Sequence, residues 1–105
     1  MIYKFKSKAT ADLIMLEPTG KYILGLLHKD TPQGIVTVAE MPQAIAALEA
    51  AIADDERQRK EAEAEAARAG HTLPAPGITL RTRAWPFIDM LRTAMRENAD
   101  VTWGV

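Results

Sequence analysis

The chain has no cysteine, which excludes disulfides, thiolate nucleophiles and cysteine-based zinc sites. Serine is almost as scarce. Ser7 is the one serine, and the two histidines, His28 and His71, lie in segments remote from it and from each other. A nucleophilic triad needs its members within hydrogen-bond reach, and nothing in this spacing supplies one. No apolar run approaches the ~18 residues of a membrane span. The start, Met1-Ile2-Tyr3-Lys4-Phe5-Lys6, alternates and does not build the apolar centre of a leader peptide. A cytoplasmic location and no membrane partner are the expectations. The net charge of −1 gives no electrostatic case for nucleic acid, which is not expected as a partner.

What is present is an ordinary globular composition, 48% hydrophobic over 105 residues, the usual size of one domain. Ile2 to Lys6 alternate at the period of a strand, with Tyr3 and Phe5 on one face and Lys4 and Lys6 on the other. After a polar link at Ser7-Lys8-Ala9-Thr10, the run Leu13-Ile14-Met15-Leu16 has the unbroken apolar character of a strand covered on both faces. The two strands are expected to pair as a hairpin. Thr19 is positioned to cap a first helix carrying Tyr22, Ile23, Leu26 and Leu27, which ends near His28 and Lys29. Ile35 to Val38 read as a brief extended segment.

A second helix begins near Ala39 or Glu40 and carries the stripe Met41, Ile45, Leu48 and Ile52, widened by Ala44 and Ala51. Beyond Ile52 no leucine, isoleucine, valine, methionine or aromatic occurs until Leu73. The helix is nevertheless expected to continue to Arg68 as a solvated arm. Its support comes from helix propensity and from the pairs Asp55/Arg59, Glu56/Lys60, Arg57/Glu61 and Arg59/Glu63. Gly70 ends it, and a proline-rich loop follows. In the last third, Leu80, Ala84, Phe87, Ile88, Leu91 and Met95 share a helical face. Pro86 either kinks that helix or marks a start near Trp85. Glu97-Asn98-Ala99-Asp100 ends the helix, and Val101-Thr102-Trp103-Gly104-Val105 then alternates as a final strand.

The expected class is therefore α+β: a small sheet of an N-terminal hairpin plus a C-terminal strand, packed with three helices. The expected division is a core of residues 1–52 and 78–105, a charged arm over 53–69 and a loop over 70–77.

Phe5-Lys6-Ser7-Lys8-Ala9, Met41 to Glu49, the block Arg83-Ala84-Trp85-Pro86 and the terminal Trp103-Gly104-Val105 together resemble the small proteobacterial family known as domain of unknown function 1840. The resemblance spans nearly the whole chain. It implies a bacterial protein and carries over neither an activity nor functional residues.

Candidate chemistry is sparse. Ser7 reads as a turn residue. His28 and Asp30 lack the convergent partners a metal needs, so no metal site is expected; His28 is expected to neutralise the end of the first helix. Gly20-Lys21 is like the end of a phosphate-binding loop, but the motif fails, because Met15 and Tyr22 stand where it has glycine and a hydroxyl. Lys4, Lys6 and Lys8 read as protection of an edge strand. The best binding candidate is Trp85 with Arg81, Arg83 and Arg92, the composition of an interface hot spot or an anion site. The functional expectation is an interaction or regulatory module without catalytic activity or cofactor, acting on a protein partner or by self-association. The alternative is a small-ligand or anion binder, or a minor enzyme, with a pocket near Arg81, Arg83 and Trp85.

Overall fold

The computed structural model describes residues 2–74 and 77–104. Met1, Val105 and, within the expected loop, Ala75 and Pro76 lie outside the described residues. Strand β1 (Ile2–Ser7) turns at Lys8-Ala9 into β2 (Thr10–Leu16), antiparallel with Tyr3 opposite Met15 and Phe5 opposite Leu13. Ser7 Oγ accepts from the Ala9 N–H at 3.2 Å, which is the turn role expected of this serine. Helix α1 (Glu17–Leu26) follows directly, with Pro18 in its first turn. Thr19 is therefore inside the helix and not its cap. Proline tolerates the first turn, where no N–H partner is missing, so the helix starts as soon as the strand ends.

Strand β3 (Gly34–Val36) and a single 3-10 turn over Val38–Glu40 lead into α2 (Met41–Arg68). Thr37 and Glu40 cap this entry reciprocally. Glu40 Oε1 accepts from the Thr37 N–H at 3.0 Å, and Lys29 Nζ lies 2.9 Å from Glu40 Oε2. The Thr37 N–H first, then Lys29, hold the Glu40 carboxyl down at about 2, against an ordinary 4.5. Helix α3 (Leu80–Arg96) is capped by Thr79, whose Oγ1 accepts from the Thr82 N–H at 3.2 Å, and β4 (Val101–Trp103) closes the order. Pro86 lies inside α3, so the helix begins well before Trp85. Thr82 and Pro86 are both exposed, and water can take the place of the N–H that the Thr82 carbonyl lacks.

All three helices end alike. His28, Gly70 and Asn98 take positive φ of 58°, 77° and 54°, and each N–H and the next reach back into the last turn, as from Lys29 to Leu24, His71 to Ala66 and Ala99 to Ala94. His28 thus closes α1 through its backbone, and the expected charge effect is not what places it there.

Among the described residues the sheet has four strands in the order β2-β1-β4-β3, every neighbour antiparallel. β1 is consequently an inner strand. The lysines at positions 4 and 6 cannot be edge guards, because β4 pairs along the side they would have protected: Phe5 opposes Trp103 and Lys6 opposes Thr102. One face carries Tyr3, Phe5, Met15, Val36, Val101 and Trp103, all buried, with Leu13 half-buried. Helices α1 and α3 pack on it, and α2 packs on α3. Phe5 is the hub, its ring centroid 4.7 Å from Phe87 and 5.8 Å from Trp103.

The 28 residues of α2 would span about 42 Å at ~1.5 Å each, which explains a longest dimension of 52 Å and a radius of gyration of 15.9 Å, where a compact chain of this length would have about 13 Å. Met41, Ala44, Ile45, Leu48 and Ile52 are buried. The arm beyond them is exposed, but it is tied more firmly than propensity alone requires. Arg81 of α3 grips Glu56 with two hydrogen bonds of 2.8 Å, and Arg59 Nη2 donates to the Pro74 carbonyl at 3.0 Å. Of the expected pairs, Arg57–Glu61 and Arg59–Glu63 form at 3.0 and 3.4 Å. At 3.4 Å the alignment is too poor for a hydrogen bond from Arg59 Nε. Among the described residues Glu56 is paired with Arg81 and not Lys60, and Asp55/Arg59 does not form. Arg57 also pairs with Asp54, and Arg68 with Glu65.

Hydrogen exchange should therefore grade along α2. Amides over 44–52 should exchange slowest, those over 53–59 faster, and those over 60–68 fastest, since the last are held only by propensity and exposed ion pairs. Equal protection of 60–68 and 44–52 would show that the distal arm is packed.

Candidate functional site

Two surfaces carry the features a binding site needs. On α3, residues 81, 85 and 92 fall on one side because the helix advances about 100° per residue; residue 83 falls nearly opposite residue 81. The Arg92 guanidinium lies 5.5 Å from the Trp85 ring centroid, and its Nη2 is 2.7 Å from Glu49 Oε2. Arg81 is spent on Glu56. Each shifts the other: the hydrogen bonds that Arg81 donates to Glu56 lower the Glu56 carboxyl and raise the Arg81 guanidinium. Arg81 and Arg92 thus serve as clamps between α2 and α3, with their positive field met by glutamates. Arg83 has no hydrogen bond or ion pair among the described residues and stands apart from the other three. The structure brings together three of the four expected residues. Around Trp85, which remains 49% exposed, is a shallow recess of about 440 Å³ lined by Arg81, Thr82, Trp85 and Pro86.

The second surface is the sheet face opposite the helices. β2 is expected to be covered on both sides, and in the structure it is covered on one. Ile2 is 51% exposed, Ile14 58% and Leu16 70%, and Ile35 joins them on β3. The register explains the grouping: Ile2 stands opposite Leu16 and Lys4 opposite Ile14, so the three apolar side chains form one corner over β1 and β2. Polar groups border it. Lys4 Nζ is 3.5 Å from Asp12 Oδ2, and Lys6 and Thr102 continue the face toward a recess of about 700 Å³ at the foot of the sheet, where Asp100 and Asn98 enter its wall. Asp100 is itself occupied, accepting from the Val38 N–H at 2.9 Å.

Sequence reasoning placed the candidate binding residues around Trp85, but it also expected the far side of Ile14 and Leu16 to be covered, by a helix or by a second chain; among the described residues no helix covers it. In Leu13-Ile14-Met15-Leu16 both parities of the strand are apolar, while the fold provides helices for one. Among the described residues no group of three or more His, Asp or Glu side chains is placed to hold a metal ion. None of the described helices is long and apolar enough to cross a membrane.

No curated protein and no solved structure matches the chain. A family model matches it from end to end of the described sheet, over residues 1–103, and the chain belongs to that family, described as a domain of unknown function, DUF1840.

Proposed function

We propose that this chain is a cytoplasmic interaction module without a catalytic centre, and that its contact surface is the open sheet face at Ile2, Ile14 and Leu16. The observation that carries the reading is the exposure of those three side chains in one contiguous corner. Single apolar residues in water need no account, but a cluster rimmed by charge is the usual mark of a protein contact. An antiparallel sheet with one solvated face would ordinarily be polar there, so isoleucine and leucine at 14 and 16 call for a partner surface.

A small-ligand or anion site near Arg81, Arg83 and Trp85 has less support. Arg81 and Arg92 are already neutralised by Glu56 and Glu49, and Arg83 does not converge with them.

Site-directed photo-crosslinking in cells tests the reading. A benzophenone amino acid at position 14 should give covalent protein adducts, and the same group at position 46, exposed on α2, should give none. Absence of any protein adduct from position 14 would reject it.

A further inference from the structure

Building on the interaction reading, we infer that the occupant of this face is a second copy of the same chain, packed sheet against sheet about a two-fold axis that lies between the sheets and runs parallel to β1 and β2. Sheets that pack face to face keep their strands nearly aligned, and identical subunits most often meet through one patch used twice. An axis along the strands preserves each residue's level and exchanges the columns, so β2 of one copy lies over β1 of the other.

The chain's own register then decides which groups meet. Leu16 and Ile2 share one level, so Leu16 of each copy lies on Ile2 of the other, apolar on apolar twice. Ile14 and Lys4 share the next level, where the lysine stem can cover the isoleucine while its ammonium reaches out. Asp12 follows, beside Lys6 across the irregular step between Phe5 and Ser7, and it already draws Lys4 Nζ to 3.5 Å. In the pair, Asp12 of each copy faces Lys6 and Lys4 of the other. Opposite charges meet on both sides of the axis, and a net charge of −1 per chain opposes the approach little. An axis perpendicular to the strands and centred on the same patch, at the level of Ile14 and Lys4, would instead set the apolar corner against the charged level.

The size of the overlap sets its strength. Two strands of about six residues, ~3.3 Å per residue and ~4.8 Å apart, give roughly 200 Å² in projection per copy. Even doubled for side-chain relief, the total stays below the ~1,200 Å² typical of stable complexes. The pair is therefore a concentration-dependent one, with dissociation in the micromolar range or weaker.

Sedimentation equilibrium of the purified full chain, from about 10 µM to about 1 mM, tests this. The mean mass should climb from 11.5 kDa toward twice that value. Leu16→Lys, whose folding is checked by an unchanged melting curve, should stay at 11.5 kDa throughout. Asp12→Lys and Lys6→Asp should each weaken pairing by about tenfold, and the double exchange should recover most of the loss. A mass fixed at 11.5 kDa to 1 mM, pairing unaffected by Leu16→Lys, single charge variants without effect, or a double variant no better than the singles would each overturn the inference. A fixed mass together with position-14 adducts to a different protein would remove self-pairing and keep the interaction reading. A fixed mass with no adduct would remove both.

Discussion

Replacing Trp103 with alanine should cost about 3 to 5 kcal/mol and lower the melting temperature by at least about 12 °C, the largest loss expected from any single truncation on this sheet. Trp103 is 1% exposed, sits on β4 between β1 and β3, and packs its ring against Phe5. Its Nε1 also donates to the Thr31 carbonyl at 2.9 Å, so the side chain holds the segment before β3 as well as the core. Truncation would leave a cavity at the meeting point of three strands and release that carbonyl. Trp103→Phe separates the two effects: it keeps most of the apolar contact, loses the hydrogen bond, and should cost appreciably less than alanine. Thermal and denaturant melts of both variants provide the check. If Trp103→Ala melted within a degree or two of the wild type, β4 would not be part of the core.

Gly34→Ala should destabilise by about 1 to 3 kcal/mol, although alanine is a small and ordinarily harmless replacement. A Cβ built on Gly34 would meet Trp103 Cζ2 at 2.4 Å, with Cε2 at 2.9 Å and Cη2 at 3.0 Å. The indole cannot swing aside, since it is fully buried against Phe5 and held through Nε1. The glycine is there because the strand must pass directly over the flat of the ring. The two predictions are coupled, which makes them a sharper test together. In a Trp103→Ala background the added methyl has room, and Gly34→Ala should become nearly neutral. Strict additivity of the two changes would show that Gly34 and Trp103 do not touch in the way described.

Much of the architecture was legible because period and composition act locally. The alternation of Tyr3 and Phe5, the stripe from Met41 to Ile52 and the face from Leu80 to Met95 all predict the buried sides found in the structure. The stop at Gly70 and the ending around Asn98 were readable too, since glycine and asparagine tolerate positive φ. His28 in the same backbone role was not readable, because nothing in its side chain announces it. Thr19 misled for a related reason: a threonine before an apolar run signals a cap, but Pro18 one residue earlier already allowed the helix to start.

The candidate site was legible only in composition. Tryptophan with arginines one to two turns away suggested an exposed cationic patch, and whether those arginines are free depends on a different helix. Glu49 and Glu56 lie far from Arg92 and Arg81 in sequence, and only the packing of α2 on α3 brings them together and spends the charge. Likewise, Asp12 meets Lys4 through the hairpin register.

Alone, the sequence determined which residues are apolar, at what period, and where the chain must turn, and from these the class, the helices and the buried face of each element follow. It also determined that β2 is apolar on both of its faces. Only the tertiary structure decided the strand order that puts β1 inside the sheet and the placement of all the helices on one side. The physical reason is that periodicity states what each element must hide but not what is available to hide it. Helices α1 and α3, backed by α2, cover one face of the sheet, and the apolar corner at Ile2, Ile14 and Leu16 on the other is what remains.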